Sequence, residues 1–428
     1  MRLGGRLRAA IDILQEIETQ HNPAGEALKA WGLSHRFAGS SDRAAIGTIV
    51  YDVLRRYYSL QWRMESDDIR DIAFGALLDA GKMTIEQIDD ALEGDRFAPQ
   101  LLGDRQRRSW QKQQLVHAPD YIRGDIPQWC KTHLGPVFAD NFVIEAAALA
   151  TRPPLDLRVN SLKTTSEKLL QALVKTKAQP LKWYPQALRI APLEKFDRHP
   201  NVQTERAFQE GHFEIQDLGS QIVADLVEAK AGMQILDYCA GAGGKTLALA
   251  ASMKNQGQIY AYDSNKVRLV PIFDRLRRAG VCNVQVREHE EELKLLGGQM
   301  DIVLLDAPCS GTGTWRRRPD TKWRLTLEQV KQCQTEQRAI LNKAIDYLTP
   351  TGRLVYITCS LFVDENEAQI AHFLQQHSHF YPINMRALWQ KHFRCTPVQP
   401  IFSNYGLTLS PATTKTDGFF LSVLQKKH

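Results

Sequence analysis

The 428-residue sequence is short of most features that assign a protein quickly. It has no run near the 18 or more apolar residues that a membrane helix needs, so no contact with a membrane is expected. Its seven cysteines are too few and too scattered for a disulfide framework, which favours a reducing, cytoplasmic setting with free thiols. The opening stretch MRLGGRLRAAIDILQEIE has neither an unbroken apolar core nor a small-residue cleavage site, and it is read as structure rather than as a signal peptide. Internal repeats and low-complexity tracts are absent, which excludes solenoids and disordered tails.

What is present is an ordinary globular composition, 43% apolar and 24% charged, in a chain long enough for two or three domains. The net charge of +6 is unevenly spread. Residues 151–200 carry ten Lys or Arg against four Asp or Glu, whereas residues 51–100 carry six against eleven. A second basic cluster, Arg316, Arg317, Arg318, Lys322 and Arg324, is interleaved with Trp315 and Trp323. Cations for phosphates beside rings for bases make both stretches candidates for RNA contact.

Periodicity divides the chain in three. Leu3, Leu7, Ala10, Ile11, Leu14 and Ile17 form one helical stripe, and a second helix is expected after Gly39, capped by Ser40 or Ser41, with Ile46, Ile49, Val50, Val53 and Tyr57 inside. Residues 1–115 therefore read as a helical domain. Residues 116–229 read as a helical connector and a small mixed α/β unit with strands near 155–159 and 187–190. From residue 230 strands and helices alternate, which predicts a parallel sheet with strands at 234–238, 258–262, 284–287, 301–306 and 353–358. Capping boxes are expected at Thr326 with Gln329 and at Asp364 with Glu367, and Pro271 should kink a helix or delay its start.

The stretch Ile235-Leu-Asp-Tyr-Cys-Ala-Gly-Ala-Gly-Gly-Lys-Thr246 is a buried strand, a glycine turn and a helix start, the arrangement that holds a nucleotide-like ligand at the carboxyl edge of a sheet. A phosphate-cradling loop would need glycine at Cys239, and a dinucleotide fingerprint from Gly241 would need it at Thr246. Both fail. Asp263, at the end of the next strand, is placed to accept from two ribose hydroxyls, so adenosine without a pyrophosphate remains, and S-adenosylmethionine is the expected cofactor.

Two further strands end in Asp306-Ala-Pro-Cys309-Ser-Gly-Thr-Gly and Thr358-Cys359-Ser360, at the same edge as the glycine loop. A pyrimidine carbon 5 cannot take a methyl group unaided. A thiolate adding to carbon 6 converts it into an enamine that can, a carboxyl such as Asp306 can stabilise charge on the ring nitrogen and amino group, and a base must then remove the carbon-5 proton. Chemistry alone leaves open which cysteine attacks.

These motifs, followed by Glu365-Asn-Glu367, resemble the Nop/Sun family of RNA cytosine-5 methyltransferases and its bacterial 16S ribosomal RNA branch. The resemblance covers roughly residues 118–425, including Arg158-Val-Asn-Ser-Leu-Lys163, Gln216-Asp217, Ser220-Gln221 and Asp417-Gly-Phe-Phe420. It implies an α/β fold, with a Rossmann-like class I methyltransferase domain, a small α/β RNA-binding unit and an N-terminal helical domain. It implies Cys359 as nucleophile and Cys309 as the helper in release, with Asp306 beside the base. Cofactor contacts are expected from Cys239, Ala240, Gly241, Ala242, Gly243, Gly244, Lys245, Asp263, Arg268, Glu288 and Asp306. RNA contacts are expected from Arg158, Asn160, Lys163, Arg316, Arg317, Arg318, Lys322 and Arg324. No metal is implied, the expected partner is RNA, ribosomal before transfer RNA, and a monomer is expected. The chain departs from the family in its glycine loop, where Gly241 and Ala242 replace Ala-Pro, and at the adenine-binding acid, for which Glu288 is the choice among Glu288, His289 and Glu290. The rival readings are a nucleotide hydrolase, which lacks its phosphate loop, and a non-catalytic RNA-binding assembly factor.

Overall fold

The computed structural model of the chain describes residues 1–192, 194 and 200–427. They fall into two compact units, one of Met1–Pro153 and Thr314–Leu325 with Pro192 and Glu194, the other of Pro154–Ala191, Pro200–Gly313 and Thr326 onward. This differs from the three sequence domains in two ways. The connector, ending in helix Phe142–Leu149, belongs to the helical unit, and the small α/β region clusters with the parallel sheet that follows it in sequence.

In the helical unit, helix Leu3–Gln20 buries the expected stripe of Leu7, Ala10, Ile11, Leu14 and Ile17. Helix Ser40–Arg55 buries Ile46, Ile49, Val50 and Val53, but Gly39 is its cap and no side chain caps it, so neither serine does the expected job; Tyr57 opens the next helix, Tyr57–Met64. Helix Ile69–Asp79, capped by Asp68, is buried on every face through Ile72, Phe74, Ala76 and Leu77, which makes it the centre of this core.

The second unit holds two sheets. Strands β1 (Leu155–Val159), β2 (Gln179–Leu181), β3 (Tyr184–Ile190) and β4 (Phe213–Ile215) form an antiparallel sheet in the order β2-β3-β1-β4. Strands β5 (Gln234–Asp237), β6 (Gln258–Tyr262), β7 (Val284–Arg287), β8 (Met300–Asp306) and β9 (Leu348–Thr358) are the parallel set predicted from the alternation. Strands β10 (Phe380–Pro382), β11 (Ile401–Phe402), β12 (Leu407–Leu409) and β13 (Phe419–Lys426) extend this sheet antiparallel, giving the order β11-β12-β13-β9-β8-β5-β6-β7 with β10 against β13. The core strands are continuous apolar runs such as Ile302, Val303, Leu304 and Leu305, as a sheet covered on both faces requires.

Pro271 does delay a helix, separating the short turn Lys266–Leu269 from helix Ile272–Ala279. The box of Thr326 with Gln329 is formed at helix Leu327–Ala344. The box of Asp364 with Glu367 is not, because helix Glu367–Gln376 starts from Asn366, whose side chain is engaged elsewhere. Among the described residues no helix is long and apolar enough to cross a membrane.

Candidate active site

From β5 the chain adds β6 and β7 on one side, then crosses over to add β8 and β9 on the other. The crossover leaves a crevice beyond the carboxyl ends of β5 and β8, where open α/β sheets bind ligands. The glycine loop and both cysteine motifs come off strands at this edge.

The glycine loop is shaped for close approach. Gly241 and Gly243 have φ of 50° and 79°, and a Cβ on Gly243 would lie 2.5 Å from the side chain of Ile272. The Gly241 N–H donates to Asp263 Oδ2 at 2.9 Å, while Oδ1 accepts from Asn265 N–H at 2.9 Å. Oδ2 also faces the Arg268 guanidinium at 3.6 Å, and Asp263 lines a cavity with Tyr238, Cys239, Tyr262, Pro308 and Ile340. Such a slot, with aromatic and apolar walls, charged residues at its rim and a carboxylate oriented by backbone donors, suits a nucleoside. Of the loop and strand-end residues expected to meet the cofactor, Cys239, Asp263 and Arg268 line this cavity, and Ala240, Ala242 and Gly244 follow in the loop beside it without lining it. Burial pushes the Cys239 thiol well up, so it is a wall and not a nucleophile.

Glu288 is exposed and does not line this cavity; Glu290 does. Glu290 accepts from Tyr238 Oη at 3.0 Å and is paired with Lys343 of helix Leu327–Ala344. Of Glu288, His289 and Glu290, the one that lines the cavity is thus Glu290, where the chain enters a 3-10 turn. Asp237, which the sequence reading passed over, is fully buried behind the loop, and burial raises it to about 7 against the opposing hydrogen bond from Thr246.

Cys309 and Cys359 meet, their Sγ atoms 3.4 Å apart. Their hydrogen bond raises the Cys309 thiol, which burial raises further, and lowers the Cys359 thiol against its own burial. The contact therefore makes the two sulfurs unequal, Cys359 being the more easily ionised. Lys245 Nζ lies 2.6 Å from Asp306 Oδ2 and orients that carboxylate; near Cys359 the Asp306 charge opposes ionisation and the Lys245 charge favours it.

Behind the sulfurs is a network that the sequence did not announce. Glu365, fully buried, accepts from Ser310 N–H at 2.8 Å, from the hydroxyls of Ser310 and Ser360, and from Gln337 Nε2 at 3.2 Å. The only hint was the Glu-Asn-Glu run after Thr-Cys-Ser.

Four of the eight expected RNA contacts, Arg158, Asn160, Arg316 and Lys322, are buried. β1 is central in its sheet, so Arg158 is buried, lowered to about 10 by burial with Glu214 opposing. Asn160 Nδ2 donates to the carbonyls of Gly211 and Ala279, both at 2.8 Å, and pins two chain segments together. Lys163 is exposed but spends its ammonium on the carbonyls of Glu210 and Arg278. In the 316–324 cluster, Arg316 and Lys322 are buried within the helical unit. Lys322 Nζ donates to Arg55 O at 2.9 Å, Arg55 Nε donates to Arg316 O at 2.8 Å, Trp323 Nε1 donates to Leu54 O at 2.7 Å, and Arg324 pairs with Asp320. Arg317 is half-buried and only Arg318 is exposed. Among the described residues no His, Cys, Asp and Glu group could hold a metal ion.

Residues 224–425 match the family described as 16S rRNA methyltransferase RsmB/F, and residues 126–193 match the RsmF/B-like ferredoxin-like domain. The chain is 31% identical over 339 residues to a ribosomal RNA small subunit methyltransferase B of an Enterobacter species, covering 77% of this chain and 74% of that protein. It is 34% identical over 262 residues to the Photorhabdus laumondii protein of the same name, covering 59% of this chain and 58% of that one. A human 28S rRNA (cytosine(4447)-C(5))-methyltransferase is 32% identical over 64% of this chain and 34% of its own length. Among solved structures, a methyltransferase homolog protein from Pyrococcus horikoshii superposes with a TM-score of 0.59 at 26% identity, over 72% of this chain and 98% of that one.

Proposed function

Because the chain belongs to the 16S rRNA methyltransferase RsmB/F family, we propose that it methylates carbon 5 of a cytosine in ribosomal RNA with S-adenosylmethionine, through a transient bond between Cys359 and carbon 6. The observation that carries this reading is the contact of Cys309 and Cys359 at 3.4 Å, beside Asp306 and at the same sheet edge as the Asp263 cavity.

Asp263 would hold the ribose through its carboxylate, with Tyr238, Tyr262, Pro308 and Ile340 around the base. The cofactor, when bound, supplies an electrophilic methyl group. The protein's part begins with the Cys359 thiolate, which adds to carbon 6 and makes carbon 5 nucleophilic. Asp306, oriented by Lys245, stabilises the polarity that develops on the ring nitrogen and amino group. Once carbon 5 carries the methyl group, its proton must leave before the Cys359–carbon 6 bond can break, and Cys309 is the adjacent group able to assist. A cytosine must leave its stack to reach such a pocket, at a cost of about a few kcal/mol, so unpaired substrates should react best. Two free thiols in contact call for a reducing compartment, which supports action in the cytoplasm.

The test combines calorimetry and mapping. S-adenosylhomocysteine should bind and ATP should not, and small-subunit ribosomal RNA lacking the modification should gain one bisulfite-resistant cytosine on incubation with the protein and S-adenosylmethionine. Binding of ATP in preference to the nucleoside, or methylation at a position other than carbon 5, would overturn the reading.

A further inference from the structure

The buried carboxyl of Glu365 lies behind both sulfurs, and everything around it converges on the two cysteine turns. Ser310 follows Cys309 and Ser360 follows Cys359, and both hydroxyls donate to Glu365, as does the Ser310 N–H. Gln337, which donates to Glu365, also donates to Pro308 O at 2.9 Å, on the other side of Cys309. Asn366 completes the pattern around Cys359: its Oδ1 accepts from Thr358 Oγ1 at 2.6 Å and its Nδ2 donates to Ser360 O at 3.0 Å. The residues on both sides of both cysteines are therefore held by one network with Glu365 at its centre.

Taking the two cysteines as the reacting pair, an inference that rests on the function proposed above, we propose that Glu365 is the positioning residue of that pair: its carboxylate ties the two cysteine turns together and so sets the sulfur separation. All four of its hydrogen bonds are accepted, which is the pattern an ionised carboxylate satisfies and an amide does not. Burial raises the Glu365 carboxyl and the donors from Ser310, Ser360 and Gln337 oppose that rise; when ionised it raises both thiols, opposing negative charge on the sulfurs. The other ionisable groups around the pair are Asp306 and Lys245, and Cys333 and Tyr356, both raised by burial. Tyr356 also donates to the Glu365 carbonyl at 2.7 Å.

The experiment compares wild type with Glu365→Gln, Glu365→Asp and the double variant Ser310→Ala/Ser360→Ala. Three quantities are read: S-adenosylhomocysteine affinity, the pH profile of iodoacetamide alkylation at Cys309 and Cys359 followed by peptide mass spectrometry, and single-turnover methyl transfer. Glu365→Gln should bind S-adenosylhomocysteine within about twofold of wild type, shift the alkylation profile to lower pH, and slow transfer about a hundredfold, the effect of a misplacement near 1 Å. Glu365→Asp keeps the charge and should leave the profile near wild type while transfer still slows. The double serine variant should slow transfer about tenfold with affinity intact. A Glu365→Gln protein with the wild-type profile and rate would overturn the proposal. If that variant fails to fold, a wild-type rate in the double serine variant overturns it equally. Alkylation needs no RNA, so a wild-type protein that shows the profile but methylates nothing counts against the proposed function alone.

Discussion

Residues 306–313 and 314–325 are consecutive in sequence, and each looked functional for its own reason. The first is an acid and a cysteine at the end of a buried strand; the second is a basic run with two tryptophans. The first ends at the sulfur pair, with Ser310 and Thr312 hydrogen-bonded beneath it. The second belongs to the helical unit, where Trp315 is fully buried and Lys322 is 1% exposed. The difference lies in what each chemistry needs. A thiol beside a carboxyl at a strand end has few structural uses, whereas an amphipathic cation can bury its stem and cap carbonyls as readily as it can meet a phosphate. Charge density in sequence is therefore a weaker guide to an RNA surface than motif spacing is to a reaction centre.

The strongest test of that contrast is Lys322→Ala. It strips a buried cation from the Arg55 carbonyl and from the field of the buried Asp125 carboxyl, and should destabilise the helical unit by about 3–5 kcal/mol, read by thermal unfolding. Arg318→Ala, four residues away and exposed, should stay within about 0.5 kcal/mol. A stable Lys322→Ala protein with weakened, less salt-dependent RNA binding would break the comparison. The same site has a pH signature. Burial lowers Lys322 from 10.5 to about 8, so between those values the unfolded chain holds more of this proton than the folded one. Stability contributed through this group therefore rises with pH across that window, and its burial penalty is fully felt below it. Lys322→Met should flatten that limb relative to wild type.

Next in size is Asp263→Ala, which should weaken S-adenosylhomocysteine by roughly 1.5–3 kcal/mol per lost hydrogen bond and, by stripping the acceptor from the Gly241 and Asn265 N–H groups, also cost about 1–3 kcal/mol of stability. Asn160→Ala should touch stability alone: about 1–3 kcal/mol lost as the Gly211 and Ala279 carbonyls are left unpaired, with cofactor affinity unchanged. The smallest expected effect is on RNA binding by Arg318→Ala, a reduction of the salt slope by about 1 at most. A larger drop would mark Arg318 as more than one phosphate contact.

The parallel strands β5–β9, the helix start after Pro271 and the cap at Thr326 were legible because periodicity, strand-end motifs and capping chemistry are local signals. Strands β10–β13 were not placed, since β13 reaches β9 and β10 only through long-range pairing and β10, β11 and β12 are no longer than three residues. Arg158 and Asn160 read as solvent-facing because nothing in Arg-Val-Asn-Ser-Leu-Lys says that β1 is flanked on both sides. Glu290 was one of three neighbouring candidates with Glu288 and His289, and only the turn it starts decides which one faces the cavity. The cysteines were legible through their spacing; the Glu365 network beneath them was not, because it is assembled from Ser310, Gln337, Ser360 and Glu365, brought from three separate stretches of chain.

The central claim is that two adjoining thiols have different duties, and trapping of the covalent complex tests it most directly. Cys309→Ala, Cys359→Ala and wild type should each be incubated with unmodified ribosomal RNA and S-adenosylmethionine, then resolved by denaturing electrophoresis. If Cys359 attacks and Cys309 assists release, Cys309→Ala should accumulate protein cross-linked to RNA, and Cys359→Ala should show none and no methylation. A stable adduct in Cys359→Ala with none in Cys309→Ala would contradict the account and reverse the two roles.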